Sequence, residues 1–434
     1  MRRVLKNKNF ILLFTGSAVS EIGNMVFAIG MSIYILLLTE SAILMSIFMA
    51  VSIFVRVLMS PIAGPLVDRW NRVRVIYMTD FIRGIAFLVL AYIFFSGLED
   101  QNTIILLLYI VTIISSINAA FFFPAAASSV PDIVGEENLQ AAQGLQGFLF
   151  AFPQLIGGFL GAAFVDSAGV EWIILFNGIS FMLSGLSEMF IRTPYKKEFV
   201  VLPKEERSSL LHDYKESLIY AKKVGVLSLV GFFLVINFAV TPLFSVATPV
   251  LFKLVLERAN TMEYAATGAV FSVAAMIGSL VVGGMKIKSY KSTIKKGVFL
   301  LFVLFGINVL LFYLVEFGFI GYWNFYILYV VSILIVGVNL SFVNLPINVG
   351  LTNRIEPEMR GRVFSTVGAL AQLAVPFSML LGGVIIEYTS VSLLGLGCLL
   401  IMMIPTIGFL KHKTVNRVLQ EIDEKQVALL KQTE

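Results

Sequence analysis

Long apolar segments, separated by short polar ones, run along almost the whole chain. Most contain about 20 to 30 residues and are apolar on every side, without the two-residue alternation of a membrane β-strand. A helix of about 20 apolar residues spans a bilayer and pairs its own backbone groups. The pattern therefore predicts an all-α integral membrane protein. Twelve transmembrane spans are predicted, at residues 10–38, 43–67, 74–97, 103–129, 138–165, 171–191, 225–252, 264–286, 294–316, 322–349, 360–386 and 391–410.

The composition also indicates a surface that faces lipid. Of the 434 residues, 58% are hydrophobic and only 14% are charged, whereas roughly a quarter of the residues of a soluble protein are charged. The net charge of +5 follows from the membrane topology described below, so we expect a lipid bilayer and no nucleic acid as partner. Cys398 is the only cysteine, and both histidines lie outside the spans, so neither a disulfide nor an intramembrane metal site is predicted.

The lysines and arginines divide unequally between the two sides of the predicted spans. Of the 32, only Lys253 and Arg258 fall on one side, while Arg56 and Arg83 lie inside spans. All the others lie on the opposite side. Because loops rich in lysine and arginine remain in the cytoplasm, both termini are predicted to be cytoplasmic.

A long charged loop near the midpoint divides the chain into two halves. We predict an N-terminal six-helix bundle at 1–191, a cytoplasmic linker with an amphipathic helix at 192–224, a second six-helix bundle at 225–411 and a cytoplasmic tail at 412–434. The linker helix either lies on the membrane surface or binds a regulatory partner. The tail is interpreted as a surface-lying helix or frayed end, with a coiled-coil contact as the alternative.

A short basic turn joins the second and third spans, and it resembles the loop signature of the major facilitator superfamily. That signature reads Gly-x-Leu-Ala-Asp-Arg-x-Gly-Arg-Lys. The matching positions, with the base that follows them, are Gly64, Leu66, Asp68, Arg69, Arg72 and Arg74. Asn71 stands where the signature has glycine, and we expect it to adopt the left-handed backbone conformation that asparagine tolerates.

The resemblance implies a secondary transporter with two pseudo-symmetric six-helix bundles. Pro153 and Pro376, each followed by a pair of glycines, lie at corresponding places in the two halves, as expected of such a repeat. Phe123-Pro124 and the segment from Arg360 to Ser365 are further similar to the macrolide-efflux branch of drug:proton antiporters.

That branch implies proton-coupled export of amphipathic drugs, and hence multidrug efflux and antibiotic resistance, by a monomer in a bacterial plasma membrane. A proton gradient then serves in place of a cofactor. A lysophospholipid flippase or a siderophore exporter of the same fold is the alternative, and uptake is open as well. An intramembrane enzyme would need a constellation such as His-Glu-x-x-His, which is absent from the sequence. A membrane sensor without transport activity would need a large soluble domain, and the sequence shows none.

Ionisable residues inside spans are costly, and they are usually functional or paired. Four lie in the first three spans: Glu21, Arg56, Asp80 and Arg83. They lie at similar depth and sum to zero charge, which predicts a mutual network. We interpret Glu21 as the proton carrier, because arginine neighbours favour its ionised form and burial disfavours it. A permanent ion pair is the alternative. Glu188 is predicted to pair with Arg192 on the same helix.

In the family that the chain resembles, spans one, four, seven and ten line the substrate cavity, with help from spans two, five, eight and eleven. Buried amides on these spans are the candidates for substrate contact: Asn24, Asn118, Gln146, Asn237, Asn339 and Gln372. The chain also has 38 phenylalanines and 16 methionines. Flexible apolar walls with a few amides suit bulky amphipathic molecules.

The basic turn is expected to act as a cytoplasmic latch. Asp68 would face the N-terminus of the eleventh span, near Glu358 to Arg362, since a helix N-terminus favours an acid. Arg69 and Arg72 would pair with acids of neighbouring helices. The loop between the eighth and ninth spans contains no acid, so we predict a latch in the first half only.

Overall fold

The computed structural model describes residues 3–135, 138–167, 169–192, 210–258, 260–285, 287 and 289–433, and the described residues contain helices but no strand. The first half contains α1 (Lys8–Thr39), α2 (Ala42–Arg69), α3 (Arg72–Phe95), α4 (Gln101–Val134), α5 (Leu139–Ser167) and α6 (Val170–Glu188). The second half contains α7 (Leu210–Lys223), α8 (Val226–Val255), α9 (Thr261–Gly284), α10 (Tyr290–Glu316), α11 (Tyr322–Arg354), α12 (Pro357–Tyr388), α13 (Val391–Lys411) and α14 (Lys413–Thr433). Eleven of these helices are long and apolar enough to cross a membrane, counted over the described residues. Helix α5, with 29 residues, occupies the position of the fifth predicted span. The predicted all-α membrane fold is confirmed.

The helices form two compact units, Met1–Arg207 with Ala259–Ala269, and Ser208–Arg258 with Val270–Glu434. In the first unit, α1 packs against α5 and α6, and α3 packs against α4 and α6. In the second unit, α8 packs against α12 and α13, and α10 packs against α11 and α13. The second unit thus repeats helix pairs of the first, as the matching prolines predicted.

Helix α1 packs closely against α6 through three glycines, seven residues apart. A Cβ atom at Gly23 would overlap Ser180 Oγ, and one at Gly30 would lie 2.6 Å from Ile173 Cδ1. A Cβ at Gly16 would meet Ser187 Oγ at 2.9 Å. Because the glycines lack side chains, the two backbones approach each other and α1 covers the polar side of α6.

Several helices begin at a residue whose side chain accepts a hydrogen bond from the first turn. Asn71 is one of them: its side chain accepts from the N–H of Arg74 at 3.0 Å, and its backbone is extended, with φ −66° and ψ 108°. The expected left-handed conformation is therefore wrong, and asparagine here serves as the N-cap of α3. Asp100 caps α4 similarly. Hydrogen bonds from the Thr103 hydroxyl and N–H hold the pKa of Asp100 below its ordinary value.

Helix α8 departs from regular α-helix in its second half. It winds as π-helix at Pro242–Ala247 and again at Leu251–Val255. Proline cannot donate a backbone hydrogen bond, and wider turns of this kind relieve the loss. The Thr248 hydroxyl bonds to the Leu243 carbonyl at 3.0 Å and lies 3.2 Å from the Tyr329 hydroxyl on α11, so the irregular segment is held by polar contacts.

The C-terminal helix α14 is part of the second unit. Its apolar side, formed by Val415, Val418, Leu419 and Ile422, is buried in a cluster with residues of α8, α10, α11 and α13. The expectation of a surface-lying helix or frayed end is therefore wrong. The sequence showed the apolar side correctly, but it could not show that the adjoining helix ends leave a matching apolar surface.

Polar contacts fix α14 at both sides of this cluster. The guanidinium of Arg354, at the end of α11, pairs with Glu421 and donates to the Val224 carbonyl at 2.9 Å. The Asp423 carboxylate accepts from the Ser289 hydroxyl at 2.7 Å and from the Lys291 N–H at 3.0 Å. The loop before α10, which has no acid of its own, thus receives one from the tail.

Candidate functional site

A buried ion pair lies on one side of α3. Nη2 of Arg83 is 2.5 Å from Oδ1 of Asp80, one turn earlier. Asp80 is 0% exposed and Arg83 is 4% exposed. The Nε of Arg83 also donates to the Thr79 carbonyl at 3.3 Å. Burial of both charges removes their hydration, so the surroundings must replace it.

Two aromatic rings complete the surroundings of Arg83. Its guanidinium carbon lies 4.9 Å from the centroid of Phe122 on α4 and 4.4 Å from that of Phe181 on α6. A guanidinium is attracted to the face of an aromatic ring, and it is more weakly hydrated than an ammonium group. Arg83 is therefore held by one carboxylate and two rings contributed by three helices.

Glu188, at the end of α6, is a third member of this cluster. It is 0% exposed and lies within electrostatic range of Asp80 and Arg83. Its Oε1 lies 3.2 Å from the position that a Cβ at Gly16 would occupy, so α1 covers it. Among the described residues, neither of its carboxylate oxygens accepts from a base or a backbone N–H, and neither does Oδ2 of Asp80; the Ser184 hydroxyl lies within reach of both acids.

This placement corrects the predicted Glu188–Arg192 pair. The backbone N–H and carbonyl of Arg192 bond to the side chain of Asn9, at 3.0 Å and 2.7 Å. Glu188 instead continues a buried polar stripe on α6 that contains Asn177 and Ser184. The helical spacing of that stripe was the signal in the sequence, and it indicated the interior of the bundle.

Glu21 and Arg56 lie at the edge of the same network. Glu21, half-buried on α1, is within electrostatic range of Arg83 and Arg56 and lies beside Asn24. Arg56 on α2 is exposed, and its guanidinium lies 5.9 Å from the centroid of Phe123. The structure thus brings together the four residues that the sequence singled out and adds Glu188. With every group ionised, three acids face two bases, so the network has a net charge of −1 and not zero.

The basic turn also makes an interhelical contact. Nη1 of Arg72 lies 2.8 Å from Oδ2 of Asp132 on α4 and donates to the Ser128 carbonyl at 3.0 Å. This agrees with the expected pairing of Arg72 with an acid of a neighbouring helix. Arg74 is exposed, and among the described residues no atom from another helix lies within 4 Å of a Cβ built at Gly64. The side chains of Asp68, Arg69 and residues 357–362 lie outside the described set, so the expected contact with the eleventh span stays a prediction.

The candidate cavity amides are found in different environments. Asn24 and Asn118 are half-buried, and Asn118 donates to the Ile114 carbonyl of its own helix at 2.8 Å. Asn339 is 7% exposed and donates to the Gly297 carbonyl of α10 at 2.9 Å, which makes it a packing residue. Two candidates, Asn237 and Gln372, are exposed, whereas the side chain of Gln146 lies outside the described set.

Comparison with known protein families shows which family the chain belongs to. The family described as Major Facilitator Superfamily matches residues 13–374. The chain belongs to the Major Facilitator Superfamily. It is a multi-span membrane transporter of the secondary type, and transporters of this family, which are not enzymes in general, bind small-molecule substrates within a lipid bilayer.

Relatives of this transporter occur in Bacillus subtilis (strain 168). The MFS-type transporter YkuC is 27% identical over 378 residues, which cover 83% of this chain and 81% of YkuC. YfiS, also an MFS-type transporter, is 23% identical over 411 residues, covering 91% of each protein. BacE, which is proposed to export bacilysin, is 25% identical over 158 residues, or 36% of this chain and 37% of BacE.

Solved structures share the fold. A bacterial homologue of the iron transporter ferroportin, in an inward-facing state, superimposes with a TM-score of 0.71 at 15% identity, covering 97% of this chain and 99% of that one. A D-xylose-proton symporter gives a TM-score of 0.70 at 13% identity, covering 90% and 96% of the two chains. At such identities the likeness shows the fold alone.

The second unit of this transporter contains a polar surface that the sequence interpretation missed. Asn344 and Asn348, one turn apart on α11, are exposed within a span that is mostly apolar. With Ser341 and with Ser279 of α9 they line a cavity of about 290 Å³. An exposed amide is unfavourable against hydrocarbon, so this side of α11 is suited to water or substrate. The spacing Ser341, Asn344, Asn348 was the available signal.

Proposed function

We propose that this transporter couples proton entry to the export of hydrophobic or amphipathic compounds, macrolide-type drugs among them, by alternating access. The observation that carries the proposal is the charge network inside the first unit, with half-buried Glu21 at its edge. Ionisable groups within a membrane are retained at a cost, and in transporters they form proton and ion pathways.

Glu21 is the proton carrier in this proposal. It faces two arginines that differ in freedom, because Arg83 is held by a carboxylate and two rings whereas Arg56 is exposed. A displacement of Arg56, or the arrival of a cationic group near Glu21, changes the balance between the ionised and the protonated carboxyl. The occupancy of the substrate site and the protonation of Glu21 are thereby linked.

Neutral amides and apolar side chains provide the substrate contacts. In the first unit these are Asn24 and Asn118, and in the second they are Asn237 and Gln372, joined by the polar surface of α11. Amide groups bind esters, hydroxyls and carbonyls without requiring a charge on the ligand. The similarity of Phe123-Pro124 and of the segment from Arg360 to Ser365 to macrolide-efflux proteins supports this substrate class, and the relative BacE is compatible with export.

The test is transport by the purified protein in liposomes with an imposed pH gradient and a panel of radiolabelled macrolides. We expect macrolide movement that requires the gradient and that falls at least about tenfold in Glu21→Gln, because an amide does not carry a proton at neutral pH. The matched control is Glu40→Gln, an exposed acid at the end of the same helix.

Two results would count against the proposal. Gradient-driven transport of normal rate by Glu21→Gln would exclude Glu21 as the carrier. Absence of movement for every macrolide in the wild-type protein would favour a lysophospholipid or a siderophore as substrate, and both are then assayed in the same liposomes.

A further inference from the structure

Asp80 and Glu188 are two buried acids that share a single base, Arg83. The two carboxylates lie beside each other on α3 and α6, both 0% exposed. The guanidinium of Arg83 is directed to Oδ1 of Asp80, so Oδ2 of Asp80 and both oxygens of Glu188 accept no hydrogen bond from a base or a backbone N–H among the described residues, and the Ser184 hydroxyl is the donor within reach of both acids. Two ionised carboxylates in this position repel each other and lack hydration.

A single proton resolves both problems. On a carboxyl oxygen of Glu188 it allows Glu188 to donate a hydrogen bond to Asp80, and it brings the five-residue network to zero net charge. Two acids that share a buried site titrate as a pair, with one proton between them. Glu21 is the less favourable position, because it faces Arg56 and Arg83, whereas Glu188 faces an acid and a base that is already paired.

We propose that Asp80 and Glu188 form a proton-binding site between α3 and α6 that holds one proton in the conformation described here. Among the described residues, the groups in range of Glu188 are Asp80 and Arg83 from α3, Ser184 from its own helix, and the backbone near Gly16 from α1. If the proton leaves to water, the single guanidinium of Arg83 must balance two carboxylates. Release of the proton therefore requires positive charge to approach the network. Arg56 can supply that charge, because it is an exposed base within electrostatic range of Glu21.

This inference deepens the proposed coupling and rests on it in part: Glu21 exchanges protons at the edge of the network, and the Asp80–Glu188 pair stores one inside. When Glu21 takes up a proton, the network carries a net charge of +1 until Glu188 releases its own. One proton entering at Glu21 and one leaving Glu188 restores the starting charge. The two acids then act in sequence, and neither alone suffices for coupling.

The experiment compares wild type, Glu188→Gln and Asp80→Asn by infrared spectroscopy of the protein reconstituted at neutral pH, using the C=O band of a protonated carboxyl. We expect a band in wild type that is lost in Glu188→Gln, where the carboxyl is gone. We expect it to be lost also in Asp80→Asn, because Glu188 can then ionise and pair with Arg83. Glu171→Gln, at the other end of the same helix, is the control and keeps the band.

Transport assays on the same proteins distinguish a proton-storing role of the acid pair from a purely structural one. In Glu188→Gln, gradient-driven substrate movement falls about tenfold while exchange of substrate without a gradient is retained, because a glutamine imitates the protonated acid permanently. A band that persists in Glu188→Gln overturns the assignment of the proton. Loss of the band with normal gradient-driven transport overturns the storage role. Failure of the wild-type protein to respond to a gradient would instead refute the proposed function, and the infrared result would still stand.

Discussion

The two helical units contain similar helix pairs but keep their polar groups in different places. The first unit buries ionisable side chains in its interior, where Asp80, Arg83 and Glu188 are almost completely covered. The second unit buries amides, such as Asn308 and Asn339, each bonded to a backbone carbonyl. Two of its described acids bind helix ends: Glu316 accepts from the first turn of α13, and Asp423 accepts from the first turn of α10.

This difference separates two physical roles. An interior charge depends on its neighbours for solvation, so a change of one proton alters the packing energy of several helices. A charged side chain at a helix end binds backbone N–H groups and stays hydrated. It therefore stabilises the helix end, and its own energy depends little on the protonation of other residues. We therefore expect coupling to reside in the first unit and most of the polar stabilisation of the second unit to reside at its helix ends.

The largest effect is expected for Arg83→Gln. Removing the base leaves Asp80 and Glu188 without a cation in the interior, and breaking a buried ion pair in this way costs about 3–5 kcal/mol of stability. The measurement is thermal unfolding of the purified protein in detergent, with Arg74→Gln, an exposed arginine near the start of the same helix, as control. Equal unfolding temperatures for the two variants would mean that the cluster is not what holds α3, α4 and α6 together.

A somewhat smaller effect is expected for Leu419→Ala in α14. Leu419 is 0% exposed, and truncation of a buried leucine costs about 2–5 kcal/mol. Its neighbour Gln420, whose side chain is exposed, provides the control Gln420→Ala. Unfolding is followed in the same way. If both substitutions were neutral, the tail would be dispensable for the second unit, and the apolar cluster would have to be stable without it.

The sequence predicted the transmembrane helices well because their signal is long and repeated. It predicted less where the outcome depends on a partner elsewhere in the chain. The apolar side of α14 was visible, but its docking surface is assembled from the ends of several helices. The spacing of Asn177, Ser184 and Glu188 was also visible, yet a local rule favoured pairing Glu188 with Arg192, while packing against the glycines of α1 decided otherwise. Asn71 shows the same limit, because asparagine favours both a left-handed turn and an N-cap.

The smallest effect is expected for Glu316→Gln, and it provides the sharpest contrast with Glu188→Gln. The Glu316 carboxylate accepts from the N–H groups of Val391 and Ser392, at 3.2 Å and 2.8 Å, and thereby caps α13. A glutamine keeps one acceptor and turns an NH₂ group toward the other donor, so we expect a loss of about 1 kcal/mol in thermal unfolding. Gradient-driven transport should remain within about twofold of wild type, because this acid holds a helix end and its charge is not part of the interior network. Loss of gradient dependence in Glu316→Gln would show that coupling extends through both units, and the division of roles between interior and end charges would then be wrong.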